Sequence, residues 1–331
     1  MSRIYAISSG DPAGIGPEII AKSWRARDDE RLAPFFVLGD IAAFHAFADI
    51  PVVQIDSPED AVRYFATALP VLHVQDCGNV TPGQPSNASA QCALQALEIG
   101  VGLARAGGVA GIITAPVSKD SLQQIGFTHP GQTEFIAERC GVAKENAVML
   151  LAGPTLRVVP VTVHIPISQV PQQLTGELLK ARARAAAKGM HRNFGIAEPR
   201  IAVAGLNPHA GENRRLGDEE ATIIAPAITE LRDEGMDVTG PLSADTLFHA
   251  AARKNYDVVL CQYHDQALVP LKTLHFDDGV NMTLGLPIIR TSPDHGTAFN
   301  IAGQGIANPA SMIAAIRMAM TARHHRDIYG E

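Results

Sequence analysis

The sequence carries four cysteines, Cys77, Cys92, Cys140 and Cys261, and no CxxC spacing among them. That argues against a disulfide-stapled scaffold and a cysteine-based zinc site. It predicts reduced, mostly buried thiols in a cytoplasmic protein. An excess of basic charge is also missing. The formal net charge is −7 and no basic block is interleaved with aromatics, so nucleic acid is not an expected partner. No uninterrupted long apolar run occurs. The most apolar stretch, "VMLLAGPTLRVVPVTVHIPI", is broken by Gly153, Pro154, Arg157 and Pro160, which suits two short strands around a turn and not a membrane span. The start, "MSRIYAISSGD", reaches a glycine turn too soon for a secretory leader. Internal repeats and low-complexity tracts are absent, and the one early glycine cluster does not have the G-x-G-x-x-G spacing of a Rossmann site.

What remains is an ordinary globular composition of 331 residues, 46% hydrophobic, long enough for two domains or one large one. "RIYAISS", "PFFVLGD", "AGIITAP", "VMLLAG", "LRVVPVTVH", "RIAVAGLN" and "YDVVLCQYH" read as buried strands. "SAQCALQALEIGVGLARAGG" and "EEATIIAPAITELRDEG" repeat apolar residues at helical spacing and stop at glycine. Strands alternating with helices predict an α/β fold with a largely parallel sheet. The span Gly78–Ser89 reads as a surface loop, and no linker marks a boundary, so a two-domain split is expected to be discontinuous.

Three strands end in histidine: His164 after "VVPVTV", His209 after "AVAGLNP" and His264 after "VVLCQY". One such histidine is most often a hydrogen-bonded structural residue. Three at the carboxyl ends of parallel strands, the functional edge of such sheets, can bind one divalent cation and leave a coordination position open. His324 and His325, in "ARHHRD", read instead as a solvated helix face or tail. Asp265, next to His264, and Asp245, in "SADTLF", are carboxylates that can orient a ligand or move a proton. The plain alternative for Asp245 is a helix N-cap before "TLFHAA".

Lys119, Thr133, Lys272, Asn281 and Arg290 are the anion-binding candidates. A cation inside an apolar segment such as "LGLPIIR" is costly without a partner, either a bound phosphate or carboxylate or a structural salt bridge. "SGDPAGIGPEI" follows a strand and opens a helix, with Pro17 suited to its first turn. Alone it reads as a structural turn, although such a turn can cradle an anion. "SPDHGTAFNIAGQGIANP" reads as a loop before the helix "ASMIAAIRMAM".

Together "GDPAGIGPE", "ITAPVSK", "GQTEF", "VTVHIPI", "GLNPHAGE", "GPLSADTLF", "YHDQALVPLK", "GVNMTLGLPIIRTSPDHGTAF" and "IAGQGIANP" run nearly the whole chain. In this order they resemble the 4-hydroxythreonine-4-phosphate dehydrogenase family of pyridoxal phosphate biosynthesis. A weaker likeness joins the first and last motifs to isocitrate and isopropylmalate dehydrogenases. It implies their fold, two α/β domains with a cleft between them. The expected division is a cofactor-side domain of residues 1–130 plus 285–331 and a metal, substrate and dimerisation domain of 131–284.

The resemblance implies NAD- or NADP-linked oxidation of 4-phosphooxy-L-threonine to 2-amino-3-oxo-4-phosphooxybutanoate, which decarboxylates to 3-amino-2-oxopropyl phosphate. It implies one divalent metal per subunit (zinc, magnesium or cobalt) on His164, His209 and His264, at the interface of a homodimer. Substrate contacts would fall on Gln132, Thr133, Lys272, Asn281 and Arg290. NAD would lie along Asp294 to Asn308, with His295 and Asn308 near the adenine. Two positions depart from the family pattern. Gln132 stands where histidine is usual and can hydrogen-bond but not titrate near neutrality. Asn300 stands where aspartate is usual, which touches only local loop bonding. Gln132 keeps open a related dehydrogenase of threonate or erythronate 4-phosphate. Remoter readings are a phosphate acyltransferase on a related fold and a non-catalytic metal-binding module.

Overall fold

The computed structural model describes residues 4–47 and 49–329. Five strands come first: β1 (Tyr5–Ser8), β2 (Phe35–Gly39), β3 (Val52–Ile55), β4 (Leu69–His73) and β5 (Gly111–Thr114). Six follow: β6 (Val148–Gly153), β7 (Leu156–Pro160), β8 (Ile201–Ala204), β9 (Val238–Leu242), β10 (Val258–Cys261) and β11 (Val280–Leu284). The last is β12 (Arg290–Pro293). The chain divides into two compact units, Met1–Lys144 with Leu286–Arg323, and Glu145–Gly285 with His324–Glu331. The division expected at residue 130 lies instead after Lys144. Helix Gln132–Arg139 stays with the first unit because Phe135 and Ile136 are buried there and the Arg139 Nε bonds Glu98 at 2.8 Å.

In the first unit the strands run β3-β4-β2-β1-β5-β12, every neighbouring pair parallel. β1, β2 and β5 are buried throughout, which is why they read as continuous apolar runs without alternation. Helix Asn87–Arg105 lies on them, started by a capping box in which Ser86 and Ser89 satisfy each other's backbone N–H groups. Its Gly100 lets the helix approach closely: a Cβ there would sit 2.5 Å from the Ile112 Cδ1.

The second unit has the order β11-β6-β7-β10-β8-β9. β11, β6 and β7 are antiparallel, whereas β7, β10, β8 and β9 are parallel. The strand ends that carry the three histidines are therefore immediate neighbours: β7, β10, β8. Helix Gly176–Phe194 packs in this unit between a Thr175 N-cap, whose hydroxyl accepts from the Leu178 N–H at 3.1 Å, and a left-handed Gly195.

β3, β4, β9, β11 and β12 were not legible as strands. β3 is partly exposed at an edge, and β4, β9 and β12 contain proline, which propensity counts against a strand. "TLFHAA" forms no α-helix, so Asp245 is not its N-cap; it lies in the short 3-10 turn Ala244–Thr246. His324 and His325 do lie on a helix, Ala310–Ile328. No helix among the described residues is long and apolar enough to cross a membrane.

The early glycine cluster is a tight turn with a steric reason for each glycine. Gly10 has φ +68, and a Cβ on it would sit 2.3 Å from the Pro116 oxygen. Gly10→Ala should lower unfolding free energy by about 1–3 kcal/mol. Urea denaturation followed by circular dichroism reads this directly, and an unchanged midpoint would mean the turn relaxes freely.

Candidate active site

The parallel strand ends of the second unit are tied to one another by side-chain amides. Gln262, fully buried, donates from Nε2 to the Ala204 oxygen at 2.6 Å. The Gln262 carbonyl accepts from the Thr162 hydroxyl at 2.7 Å, and its N–H donates to Gln266 Oε1 at 2.7 Å. Gln266 Nε2 in turn donates to the Gly205 oxygen at 2.8 Å. The ends of β7, β10 and β8 are thus held in one register. Sequence reasoning passed over both glutamines; the only signal was a polar residue inside "VVLCQYHDQ".

His164 and His264 leave this edge side by side, ring centroids 5.5 Å apart. They line a pocket of about 210 Å³ together with Thr162, Ile167, Tyr263 and Asp265. The His264 Nδ1 donates to the Asp265 carboxylate at 2.7 Å, which leaves Nε2 to face a ligand. His164 has φ +52, a left-handed conformation that a non-glycine residue adopts only where its surroundings impose it.

His209 sits in a loop with the same character. His209, Ala210, Glu212, Asn213 and Arg214 all have positive φ, between 41° and 68°. Asn207 and Glu220 close this loop. The Asn207 N–H donates to Glu220 Oε1 at 2.7 Å, and its Nδ2 donates to Glu219 at 2.7 Å and Glu220 at 3.0 Å. Glu220 is 5% exposed and begins a π-helical turn, Glu220–Ile224. Its anchoring role was missed, although an acid on the apolar face of "EEATII" marks it. Asp245 is exposed, and the Ser243 hydroxyl, with two backbone N–H groups, holds its carboxyl below the usual range.

Three neutral imidazoles, one backed by a carboxylate, are a suitable donor set for zinc or cobalt. Within one chain His164, His209 and His264 do not form a set whose ring nitrogens all lie within 4.8 Å of one another. Among the described residues only Asp40, His73 and Asp76 form such a group. That group is a helix cap: Asp40 accepts from the Ala42 N–H at 2.9 Å and the Cys77 N–H at 2.8 Å, and Asp76 is largely exposed. Lys272 and Asn281 belong to the same unit as the histidines. Lys272 is partly buried, its Nζ 5.6 Å from the Phe276 ring centroid, and the Asn281 Oδ1 is buried without a hydrogen-bond partner.

The first unit holds the other candidates. Arg290 is 4% exposed at the start of β12 and donates twice to the Thr114 hydroxyl, at 2.8 and 3.2 Å. Burial lowers its pKa to about 10, opposed by nearby Glu134, so it stays charged at neutral pH. Gln132 and Thr133 open the helix that carries Glu134. The Gln132 Nε2 donates to the Ala115 oxygen at 3.4 Å, while its Oε1 is buried with no partner. Lys119 is exposed. The loop Asp294–Asn308 packs on the glycine turn, with the Ile15 N–H bonded to the Thr297 oxygen at 3.0 Å. The Asp294 N–H donates to Ser311 Oγ at 3.1 Å, His295 is partly buried, and the exposed Asn308 caps the last helix through the Ala310 N–H at 3.0 Å.

Residues 31–319 match the family described as "Pyridoxal phosphate biosynthetic protein PdxA". A 4-hydroxythreonine-4-phosphate dehydrogenase of Zymomonas mobilis is 53% identical over 98% of this chain and 97% of its own length. A crystal structure of 4-hydroxythreonine-4-phosphate dehydrogenase from Klebsiella pneumoniae matches with TM-score 0.85 and 38% identity, covering 97% of this chain and 100% of that one. A terephthalate 1,2-cis-dihydrodiol dehydrogenase from Burkholderia xenovorans matches with TM-score 0.67 and 30% identity, covering 97% and 98%.

Asp265→Asn should weaken zinc binding by about 10- to 100-fold, because the asparagine no longer fixes the His264 ring as a carboxylate does. Titration calorimetry on the metal-free protein measures it. Equal affinity in both proteins would remove Asp265 from the site.

Proposed function

From the premise that the chain belongs to the PdxA family of pyridoxal phosphate biosynthetic proteins, a family of dehydrogenases, we propose that it oxidises the 3-hydroxyl of 4-phosphooxy-L-threonine. NAD or NADP and one divalent cation per subunit take part. The product, 2-amino-3-oxo-4-phosphooxybutanoate, loses carbon dioxide to give 3-amino-2-oxopropyl phosphate. The observation that carries this reading is the pairing of His164 and His264 at adjacent strand ends, with Asp265 behind His264.

The chain's own residues have separable tasks. His164, His209 and His264 would hold the cation. When bound, it would supply Lewis acidity that favours loss of the hydroxyl proton, the effect that brings the pKa of metal-bound water down to about 7. NAD or NADP, when bound, would supply the hydride acceptor. Arg290 presents a planar fork to phosphate or carboxylate, Lys272 adds a point charge, and Thr133 and Asn281 add neutral hydrogen bonds. The unpartnered Gln132 oxygen accepts from the substrate's ammonium or hydroxyl. Asp265 orients His264, and Asp245 would be a carboxylate within the same unit that can take up the hydroxyl proton. Asp294, His295 and Asn308 would lie along the cofactor.

The separation of the three histidines within one chain supports a homodimer whose two copies complete the site. Val269 and Phe276, 63% and 74% exposed on the same unit, offer apolar surface for the contact.

Activity with 4-phosphooxy-L-threonine, threonate 4-phosphate and erythronate 4-phosphate should be compared with each cofactor, with and without chelator, by NADH or NADPH absorbance. The amino compound should be oxidised with the highest kcat/KM, and chelation should abolish turnover. Preference for either phosphorylated sugar acid would instead support the related dehydrogenase that Gln132 leaves open.

Gln132→Ala should cost about 1–3 kcal/mol in kcat/KM by leaving a substrate group unpaired. Gln132→His should retain activity and add a step to the pH profile between about pH 5 and 8, where imidazole titrates and an amide does not. Wild-type kcat/KM in Gln132→Ala would reduce the residue to loop support. Arg290→Lys should raise KM for the phosphorylated substrate by the equivalent of about 1–3 kcal/mol, through loss of the planar fork; an unchanged kcat/KM would take Arg290 out of the site.

A further inference from the structure

The segment Gly303–Asn308 has no helix or strand of its own, yet its backbone is tied down by one pair of side chains. Glu18 lies in the first turn of helix Gly16–Arg25 and Lys22 one turn later. The Lys22 Nζ donates to Glu18 Oε1 at 2.8 Å, the Gly305 oxygen at 2.9 Å and the Ala307 oxygen at 2.7 Å. An ammonium has three donors, and all three are assigned. The Ala307 N–H closes the ring by donating to the same Glu18 Oε1 at 2.8 Å. Glu18 is 7% exposed, and the Lys22 side chain is partly buried beside it. Between the two held carbonyls, Ile306 remains 64% exposed.

We propose that Glu18 and Lys22 are a positioning pair that orders the loop Gly303–Asn308 before the nicotinamide cofactor binds. This rests on the reading that the cofactor lies along Asp294 to Asn308. Neither side chain need touch substrate or cofactor. A loop that must be ordered on binding takes that cost from affinity, and apparent affinity falls in proportion to the competent fraction of the loop.

Lys22→Met keeps the buried stem and removes the three donors. If it lowers the competent fraction to about one tenth, the Kd for NADH and the KM for NAD rise about tenfold. The KM for the phosphorylated substrate and the zinc affinity stay at wild-type values. Glu18→Gln keeps an accepting oxygen and should raise the cofactor constants less than Lys22→Met does. Hydrogen exchange of the amides of 303–307, measured without cofactor, should quicken in Lys22→Met while β1 and β5 remain protected. NADH and NADPH binding by fluorescence, on wild type and variant, separates the failures. Wild type that binds neither overturns the cofactor reading and the proposal with it. Wild type that binds, beside a variant that binds as tightly or whose constants for cofactor, substrate and zinc all worsen together, overturns the proposal alone.

Discussion

The buried amide of Gln262 ties the end of β10 to the end of β8, and its main-chain carbonyl holds the end of β7 through Thr162. Parallel strands lie about 4.8 Å apart, so three successive ends present their following residues along one edge of the sheet. Each bond here contributes about 0.5–1.5 kcal/mol net, but a buried amide left without its partner costs about 1–3 kcal/mol. The network therefore sets register more strongly than it adds stability. His164, His209 and His264 inherit their placement from that register, and the acids around them act on a frame already fixed.

Backbone conformation shows where that frame is under load. His164 and His209 both adopt left-handed φ, and the loop after His209 continues so through Arg214. A non-glycine residue in that region costs about 1–3 kcal/mol where surroundings do not compensate. The compensation for His209 is visible: Asn207 and Glu220 clasp the loop at its base, and Gly205, Gly211 and Gly217 leave room for the clasp. In the first unit the same logic holds with different residues. Gly10, Gly14 and Gly16 allow the first turn to meet Ala115, Pro116 and Thr297, and Glu18 and Lys22 secure the segment beyond.

Strands buried on both faces were legible because they are continuous apolar runs, as in β1, β2, β5, β8 and β10. Edge strands such as β3 and β9 were not, since pairing partners far along the chain decide them. The α/β class, the strand-end histidines, and Arg290 as a cation embedded in the protein could all be read from residue type and position. Positioning residues could not. Gln262, Gln266 and Glu220 act through partners 13 to 61 positions away, and a single polar letter in an apolar pattern does not say which backbone atom it meets. The unit boundary after Lys144 was likewise hidden, because the Arg139–Glu98 pairing that keeps helix Gln132–Arg139 with the first unit is long-range.

The claim on which most else rests is that the three strand-end histidines hold one divalent cation. Anomalous diffraction at the zinc edge, from crystals of the zinc-loaded protein, tests it without reference to turnover. The account predicts one strong peak per chain, with ring nitrogens of His164, His209 and His264 about 2.0–2.2 Å away. A peak at Asp40, His73 and Asp76 instead, or no peak bonded to any strand-end histidine, would contradict it.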